Sequence, residues 1–325
     1  MRPFEYASAK TKQQAVALLN ADSAVLAGGS DLLALMKDEV VTPKRLVNIK
    51  DIPDLYAVKS VKGSTVVGAL KTLGELAETP GWEKQYPILH AALNDAASPQ
   101  IRNVATLGGN LCQRPRCWYF RNGMGLLPKD TNGESLVLKG DNRYHAILGN
   151  EGPAYFVSPS TIAPVLIAYG ATAHLLGPKG TREVELEKFY RIPTTEGARE
   201  HDLEPNEIVT EVVIPPVEGV RSGYYEVRQR EAFDWPLATA AVVLAMNGDT
   251  VKSARVVMGH VAPIPWVSKE AAEALVGKPL NEEAAMAAAN AAVSQAKSLG
   301  KNKYKITLAK VAVKRAVLNA AKGGA

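Results

Sequence analysis

Cysteine is almost absent from this sequence, with two in 325 residues. Cys112 and Cys117 exclude a disulfide framework and are too few for a four-cysteine zinc or iron–sulfur site. Histidine is equally sparse. The five (90, 145, 174, 201, 260) show no H-x-x-x-H or H-E-x-x-H spacing, so no protein metal site is expected. No run approaches the about 18 apolar residues of a membrane span, so none is expected. The glycine patterns G-x-G-x-x-G and G-x-x-x-x-G-K-[ST] are both missing, which excludes the two common nucleotide folds. No serine triad or pair of catalytic carboxylates follows from spacing, so no catalytic residue is assigned. The first residues, MRPFEYASAKTKQQ, lack the apolar core of a secretory signal. A cytoplasmic location is expected, the alternative being periplasmic by co-export with a signal-bearing partner.

What is present is ordinary globular material. The chain is 46% hydrophobic and 22% charged with a net charge of +5. That suffices for the cores of two or three domains and argues against disorder. Arg114, Arg116 and Arg121 interleave with Trp118, Tyr119 and Phe120. Such a mixture can stack on nucleobases, but one short stretch fits a solvated loop or a subunit contact better, and no nucleic acid is expected.

Residues 1–54 read as helix, strand, helix, strand, a unit that packs a helix on a small parallel sheet. Residues 55–219 open with strands at 55–59 and 65–69. Thr72 and Glu75 then form a capping box. A helix follows at 88–97, and Ser98-Pro99 starts a new short one. Residues 112–157 carry little periodicity, which is uncommon inside a domain and usually functional. They are expected on the surface, with Arg114, Arg116, Trp118 and Tyr119 as contacts to a partner. Pro215-Pro216 and Gly219 mark a boundary. Residues 220–325 read as an antiparallel sheet, with a hairpin turn at Asn247-Gly248, followed by helices at 269–275, 282–298 and from 307 to 321.

Two segments hold a glycine pair. In the first, Val25, Leu26, Ala27, Gly28, Gly29, Ser30, Asp31 and Leu32 join a strand to a helix N-terminus. Glycines let an anion approach exposed amides there, and the helix dipole favours negative charge. The second runs Ala105, Thr106, Leu107, Gly108, Gly109, Asn110 and reads as a loop. Taken alone, the first is more often a tight turn with a helix cap than a pyrophosphate cradle.

Taken together, the two segments resemble the AGGTDLL and TIGGN motifs of the FAD-binding medium subunit of molybdenum hydroxylases, the xanthine dehydrogenase and carbon monoxide dehydrogenase family. Val66-Val67-Gly68-Ala69 with Thr72 and Glu75-Leu76 resembles the family's IGAxxTxxEL segment, and residues 158–164 its HPSDLAP segment. Tyr224 to Arg230 resembles YYKVR, and residues 233–243 continue the likeness. The resemblance spans the whole chain in order. Residues 112–157 are similar to the extra loop of aldehyde oxidoreductase subunits, which there carries four cysteines around a [4Fe–4S] cluster. Here Cys117 stands at one such position and the others are missing, so the loop is expected without the cluster.

The resemblance implies an α+β fold: a two-part FAD-binding domain of the PCMH type, residues 1–54 and 55–219, then a C-terminal α+β domain of the CO dehydrogenase flavoprotein type, residues 220–325. It implies FAD, no metal, and a flavin site drawn from residues 25–32, Ala105, Thr106, Gly108, Gly109, Asn110, Thr161, Ile208 and Glu226. Thr161 stands where the family has aspartate, and Glu226 where it has lysine. The implied activity is electron transfer within an oxidoreductase, from the [2Fe–2S] clusters of one partner to an external acceptor. A molybdenum-cofactor partner would oxidise the substrate. Two alternatives share these residues: a stand-alone FAD oxidoreductase, and a structural subunit without flavin. An absorption spectrum and co-purification of partner subunits separate the three.

Overall fold

Three sheets follow one another along the chain. The computed structural model describes residues 1–230 and 234–323, so Phe233, which heads the family-like run 233–243, lies outside the described residues. Strands β1 (Glu5–Ser8), β2 (Ser23–Leu26) and β3 (Arg45–Asn48) form a parallel sheet in the order β1-β3-β2. The leading strand β1 is an addition to the sequence expectation. It is polar and exposed at the sheet edge, so it shows no alternation of burial. Its register is held by β3, with Glu5 opposite Arg45 and a 2.9 Å bond between their side chains.

The second sheet is antiparallel. It contains β4 (Val58–Val61), β5 (Ser64–Gly68), β6 (Thr172–Gly177), β7 (Gly180–Glu185) and β8 (Ile208–Ile214), in the order β4-β5-β8-β6-β7. Pro53 starts a 3-10 turn over Pro53–Tyr56 where a strand was expected. The capping box of Thr72 and Glu75 is present. The second glycine pair is helical rather than a loop: it lies in the helix Leu107–Leu111, whose cap Thr106 accepts from the Gly109 amide at 3.1 Å.

The third sheet is antiparallel, β12-β11-β10-β9, from β9 (Val220–Val227), β10 (Ala238–Asn247), β11 (Thr250–Gly259) and β12 (Trp266–Val267). Helices Lys269–Leu275, Glu282–Ala292 and Tyr304–Ala321 cover one face. The alanine-rich helix stops at Ala292, short of the expected 298, and the last helix begins at Tyr304, earlier than expected. Alternation along β10 places Ala240, Val242 and Leu244 under these helices. Ala241 faces the opposite way and joins the core of the helices Pro87–Asp95 and Ile162–Tyr169. The sheet is thus buried on both faces, and its second face ties the C-terminal part to the rest.

Residues 112–157 keep their expected surface position only in part, with 122–124 and 131–134 exposed. They contain two one-turn helices, Trp118–Arg121 and Leu136–Lys139, and then run inward. Asn142, His145, Ile147, Leu148 and Phe156 are all buried. Polar bonds bolt this second half to the turn before the last helix. Asn142 Nδ2 donates to the Leu299 carbonyl at 2.8 Å, and Asn302 Nδ2 to those of His145 and Ala146 at 3.2 and 3.0 Å. The fully buried Lys305 ammonium donates to the carbonyls of Tyr144, His145 and His260 at 3.1, 3.2 and 2.8 Å. A buried carbonyl left without any such donor would cost about 1–3 kcal/mol.

Candidate functional site

The strand β2 ends at Leu26, and the chain turns over residues 27–31 into the helix Leu32–Lys37. Two glycines make that turn possible. Gly29 has φ +73, a left-handed conformation that side chains disfavour. Gly28 lies so close to the carbonyl of Val104 that any Cβ would overlap the oxygen, so the first glycine segment touches the chain leading into the second. The result is a cleft of about 500 Å³ between them, within the usual range for a ligand pocket.

Along this cleft the two glycine segments behave differently. Among the described residues, the backbone N–H groups of residues 28–31 donate to no group of the chain. Four consecutive amides with no protein acceptor form a concave donor surface suited to an anion. The amides of Leu107, Gly108, Gly109 and Asn110 are already used, by Lys71 O, Ala69 O, Thr106 Oγ1 and Thr106 O. The second segment thus forms a wall of the cleft with its amides bonded within the chain, whereas the first leaves its amides open.

Asp31 would place a negative charge at this donor surface, but the guanidinium groups of Arg116 and Arg121 neutralise it and the backbone amide of Arg114 adds a hydrogen bond. Its carboxylate accepts from the Arg114 amide at 2.8 Å and Arg121 Nη2 at 2.7 Å, and Arg116 Nη1 lies at 3.1 Å. Arg114 itself pairs with Glu200 at 2.8 Å. Arg199 also lines the cleft. Its guanidinium meets His201 Nε2 at 3.4 Å, and among the described residues it has no carboxylate partner. Its surroundings lower its pKa from the ordinary arginine value through desolvation, as they do that of His201, pushed down to about 3. The Cys112 thiol lies on the same wall, and burial pushes it up to about 12, so it stays protonated.

Of the residues drawn from the sequence, Val25, Ala27, Gly28, Gly29, Ser30, Asp31, Leu32, Thr106, Gly108, Gly109 and Ile208 line this one cleft. Five stand back from it. Leu26 is buried against Met36 and Leu46, and Ala105 lies in the main core. Asn110 Oδ1 accepts from Ser160 Oγ at 2.6 Å, and the same hydroxyl caps the helix Ile162–Tyr169 through the Ala163 amide. Thr161 is buried beside it and makes no cap bond. Glu226 sits on β9, where it accepts from the Tyr224 hydroxyl and from Arg228 Nε; burial pushes its carboxyl up to about 7.

The residues expected to contact a partner are half-buried and bonded within the chain. Besides the arginines, Trp118 packs edge-on against Tyr144 at 5.5 Å, and the Tyr119 hydroxyl accepts from the Asp141 amide at 2.8 Å. The sequence reading missed Arg199, Gln113, Leu203, Glu204, Pro205, Glu207 and Val209 as cleft residues. Nothing local marks them, because they reach the cleft through a chain reversal. Among the described residues, no three His, Cys, Asp or Glu side chains are grouped so as to hold a metal ion, and no helix is long and apolar enough to cross a membrane.

Comparison with known proteins supplies the rest. Residues 2–217 match the FAD binding domain in molybdopterin dehydrogenase, and residues 223–320 the CO dehydrogenase flavoprotein C-terminal domain. The chain is 32% identical to the aldehyde oxidoreductase FAD-binding subunit PaoB of Escherichia coli (strain K12), over 95% of this chain and 96% of that one. It is 31% identical to the carbon monoxide dehydrogenase medium chain of Hydrogenophaga pseudoflava, over 98% and 96%. Among solved structures, a chain of the carbon monoxide dehydrogenase of Hydrogenophaga pseudoflava, in a form lacking the Mo-pyranopterin moiety of its molybdenum cofactor, superposes with a TM-score of 0.77 at 30% identity, covering 100% of this chain and 99% of the other. A cleft with free amides and neutralised acid, in a chain matched end to end, fits FAD, and the protein belongs to the FAD-binding medium subunits of the molybdenum hydroxylases, the family of carbon monoxide dehydrogenase and xanthine dehydrogenase.

Proposed function

We propose that the chain holds one FAD in this cleft and relays electrons from the [2Fe–2S] clusters of a partner subunit to an external acceptor. The organic substrate is oxidised on a separate molybdenum-cofactor subunit. The observation that carries the placement of the cofactor is the row of uncommitted amides at residues 28–31. These donate to the pyrophosphate. Arg199 adds a positive charge at the same wall, and the Ser30 hydroxyl a further hydrogen bond. Thr106, Gly108 and Gly109 form the opposing wall. Val25, Leu32 and Ile208 supply apolar lining that keeps water from the bound group. The flavin, when bound, supplies the redox chemistry, and no side chain of this subunit acts as a catalytic acid or base. Leu26, Ala105, Asn110, Thr161 and Glu226 act at one remove, by fixing the elements that form the cleft.

The test is the flavin content of the purified chain and its company in the cell. One FAD per chain is expected, with iron–sulfur and molybdenum subunits co-purifying. Arg199→Ala should weaken FAD binding by about tenfold to a hundredfold, since a hydrogen bond to a charged group contributes roughly 1.5–3 kcal/mol. A flavin-loaded chain that purifies alone and oxidises an organic substrate itself would replace this reading with the stand-alone oxidoreductase. A chain that takes up no flavin would overturn it outright.

A further inference from the structure

A second cavity, of about 220 Å³, shares none of its lining residues with the glycine-walled cleft. It lies where the inserted segment meets the C-terminal part. Trp118, Tyr144 and Trp235 give it aromatic surface, and His145, His260 and Arg116 bring polar atoms to it. Those atoms are short of partners. His260 is 1% exposed, and neither ring nitrogen has a hydrogen bond of good geometry in the chain, although the ring lies against the Pro159 carbonyl. His145 sets Nε2 against Cys117 Sγ at 3.2 Å and leaves Nδ1 without such a bond. Arg116 commits its terminal nitrogens to Asp31 and Gln113, and its buried Nε to nothing. His260 also holds φ +62, a strained conformation for a non-glycine residue of the kind that persists at functional sites.

We propose that this cavity binds a small planar ring bearing carbonyl oxygens, of the quinone class, as the electron acceptor of the subunit; the acceptor role rests on the flavin reading above. The cavity suits one or two fused rings and is too small for a dinucleotide. Its lining contains no glycine and no row of backbone donors for phosphate, which separates it from a nicotinamide dinucleotide site. The aromatic walls take the ring faces. Arg116 Nε–H and the imidazole N–H groups are the donors available to the carbonyl oxygens. Both histidines are neutral at pH 7, because burial pushes His145 down to about 4 and His260 to about 3; of the charged side chains in the lining, Asp234 offsets Arg116, and Lys305 is committed to three backbone carbonyls, which suits an uncharged ring better than an ion. The acceptor gains two electrons and two protons, one proton on each oxygen, and leaves as the hydroquinone. A reduced flavin held in the glycine-walled cleft would supply the two electrons and two protons, so that the exchange balances without a further reductant. The Asp31–Arg116 ion pair spans the wall between the two cavities, since Asp31 lines one and Arg116 the other.

The test is calorimetric titration of the purified full-length chain with 2-methyl-1,4-naphthoquinone, with flavin content measured in parallel. Saturable one-to-one binding is expected. Trp235→Ala and His260→Phe should each weaken it at least tenfold with flavin content unchanged. Trp235 is 45% exposed, so its variant keeps the fold even where the buried histidine variant does not. Absence of saturable binding, or binding that neither variant weakens, overturns the proposal. A flavin-loaded chain that binds no quinone sinks this proposal alone. Quinone binding to a chain that takes up no flavin supports the ring site and removes the acceptor role together with the flavin reading.

Discussion

The two glycine pairs look alike in sequence and do different work. The first, Gly28-Gly29, leaves its amides open because its backbone makes a left-handed turn between a strand and a helix. The second, Gly108-Gly109, is wound into a helix whose amides close on Lys71, Ala69 and Thr106. One leaves donors open to the cleft; the other lets helix and sheet approach closely. A short glycine motif therefore marks where backbone comes near something, and only the hydrogen-bond partners reveal whether that something is ligand or protein.

The largest effect that would break this contrast is at Gly28. A side chain there runs into the Val104 carbonyl, which is backbone and cannot swing aside. Gly28→Val should separate the two segments, abolish flavin retention and lower the melting temperature by many degrees. Spectra and thermal melts of the variant decide it. Retained flavin at full occupancy would mean the close approach is dispensable. Next in size is Asp31→Ala. It removes the carboxylate that gathers the Arg114 amide, Arg116 and Arg121, and leaves two partly buried guanidinium groups without a counter-charge. The expected loss is about 2–3 kcal/mol, below the 3–5 of a fully buried pair because these side chains remain partly exposed. Denaturant melts measure it. Asp31→Asn, which can still accept from the Arg114 amide, should recover part of the loss.

How much of this was legible in the sequence depends on range. The capping box at Thr72, the Asn247-Gly248 hairpin and the strand-to-helix turn at Gly28 are set by residues within a few positions, and they lie where the pattern puts them. Asp31 is answered by arginines 83 and 90 positions away, and Asn142 by a carbonyl 157 positions away. No local pattern encodes such pairs. The inserted segment looked like surface because its few apolar residues follow no period. Its second half is buried because Asn302 and Lys305 satisfy its carbonyls while its own Asn142 and Asn150 bond to the turn before the last helix. The helix of the second glycine pair was hidden by its own glycines, which are poor helix formers, and β1 and β7 by their polar, edge-strand composition.

Acid sharpens the contrast between the glycine segments and the inserted one. The glycine pairs carry no histidine, whereas the seam between insert and C-terminal part buries His145 and His260, with pKa values pushed down to about 4 and about 3 by desolvation. Unfolded histidine titrates near 6.5. Below that pH the unfolded chain binds protons that the folded seam refuses, so stability present above pH 6.5 is lost as pH falls toward 4 and 3. The loss should reach a few kcal/mol at most and appear first at the insert. Hydrogen exchange between pH 7 and 4.5 should show amides near 142–150 losing protection before those of 107–110. Simultaneous loss would mean that the seam is no weaker than the glycine helix.

The smallest effect concerns the second glycine segment alone. Thr106 Oγ1 accepts from the Gly109 amide, the one amide of residues 107–110 held by a side chain rather than by a main-chain carbonyl. Thr106→Val keeps the shape and removes that acceptor. Loss of a helix cap costs about 1 kcal/mol, within a range of roughly 0.5–2, so the chain should fold and melt slightly earlier. The freed Gly109 amide then faces the cleft that Gly109 lines. If the second segment is only a wall, flavin affinity should be unchanged or fall slightly with the loosened helix. If the cap keeps a latent donor from the phosphate, affinity should rise although stability falls. Measuring both quantities on the same variant tells the two apart, and a rise in affinity would give the second glycine pair back the donor role that its closed hydrogen bonds deny it.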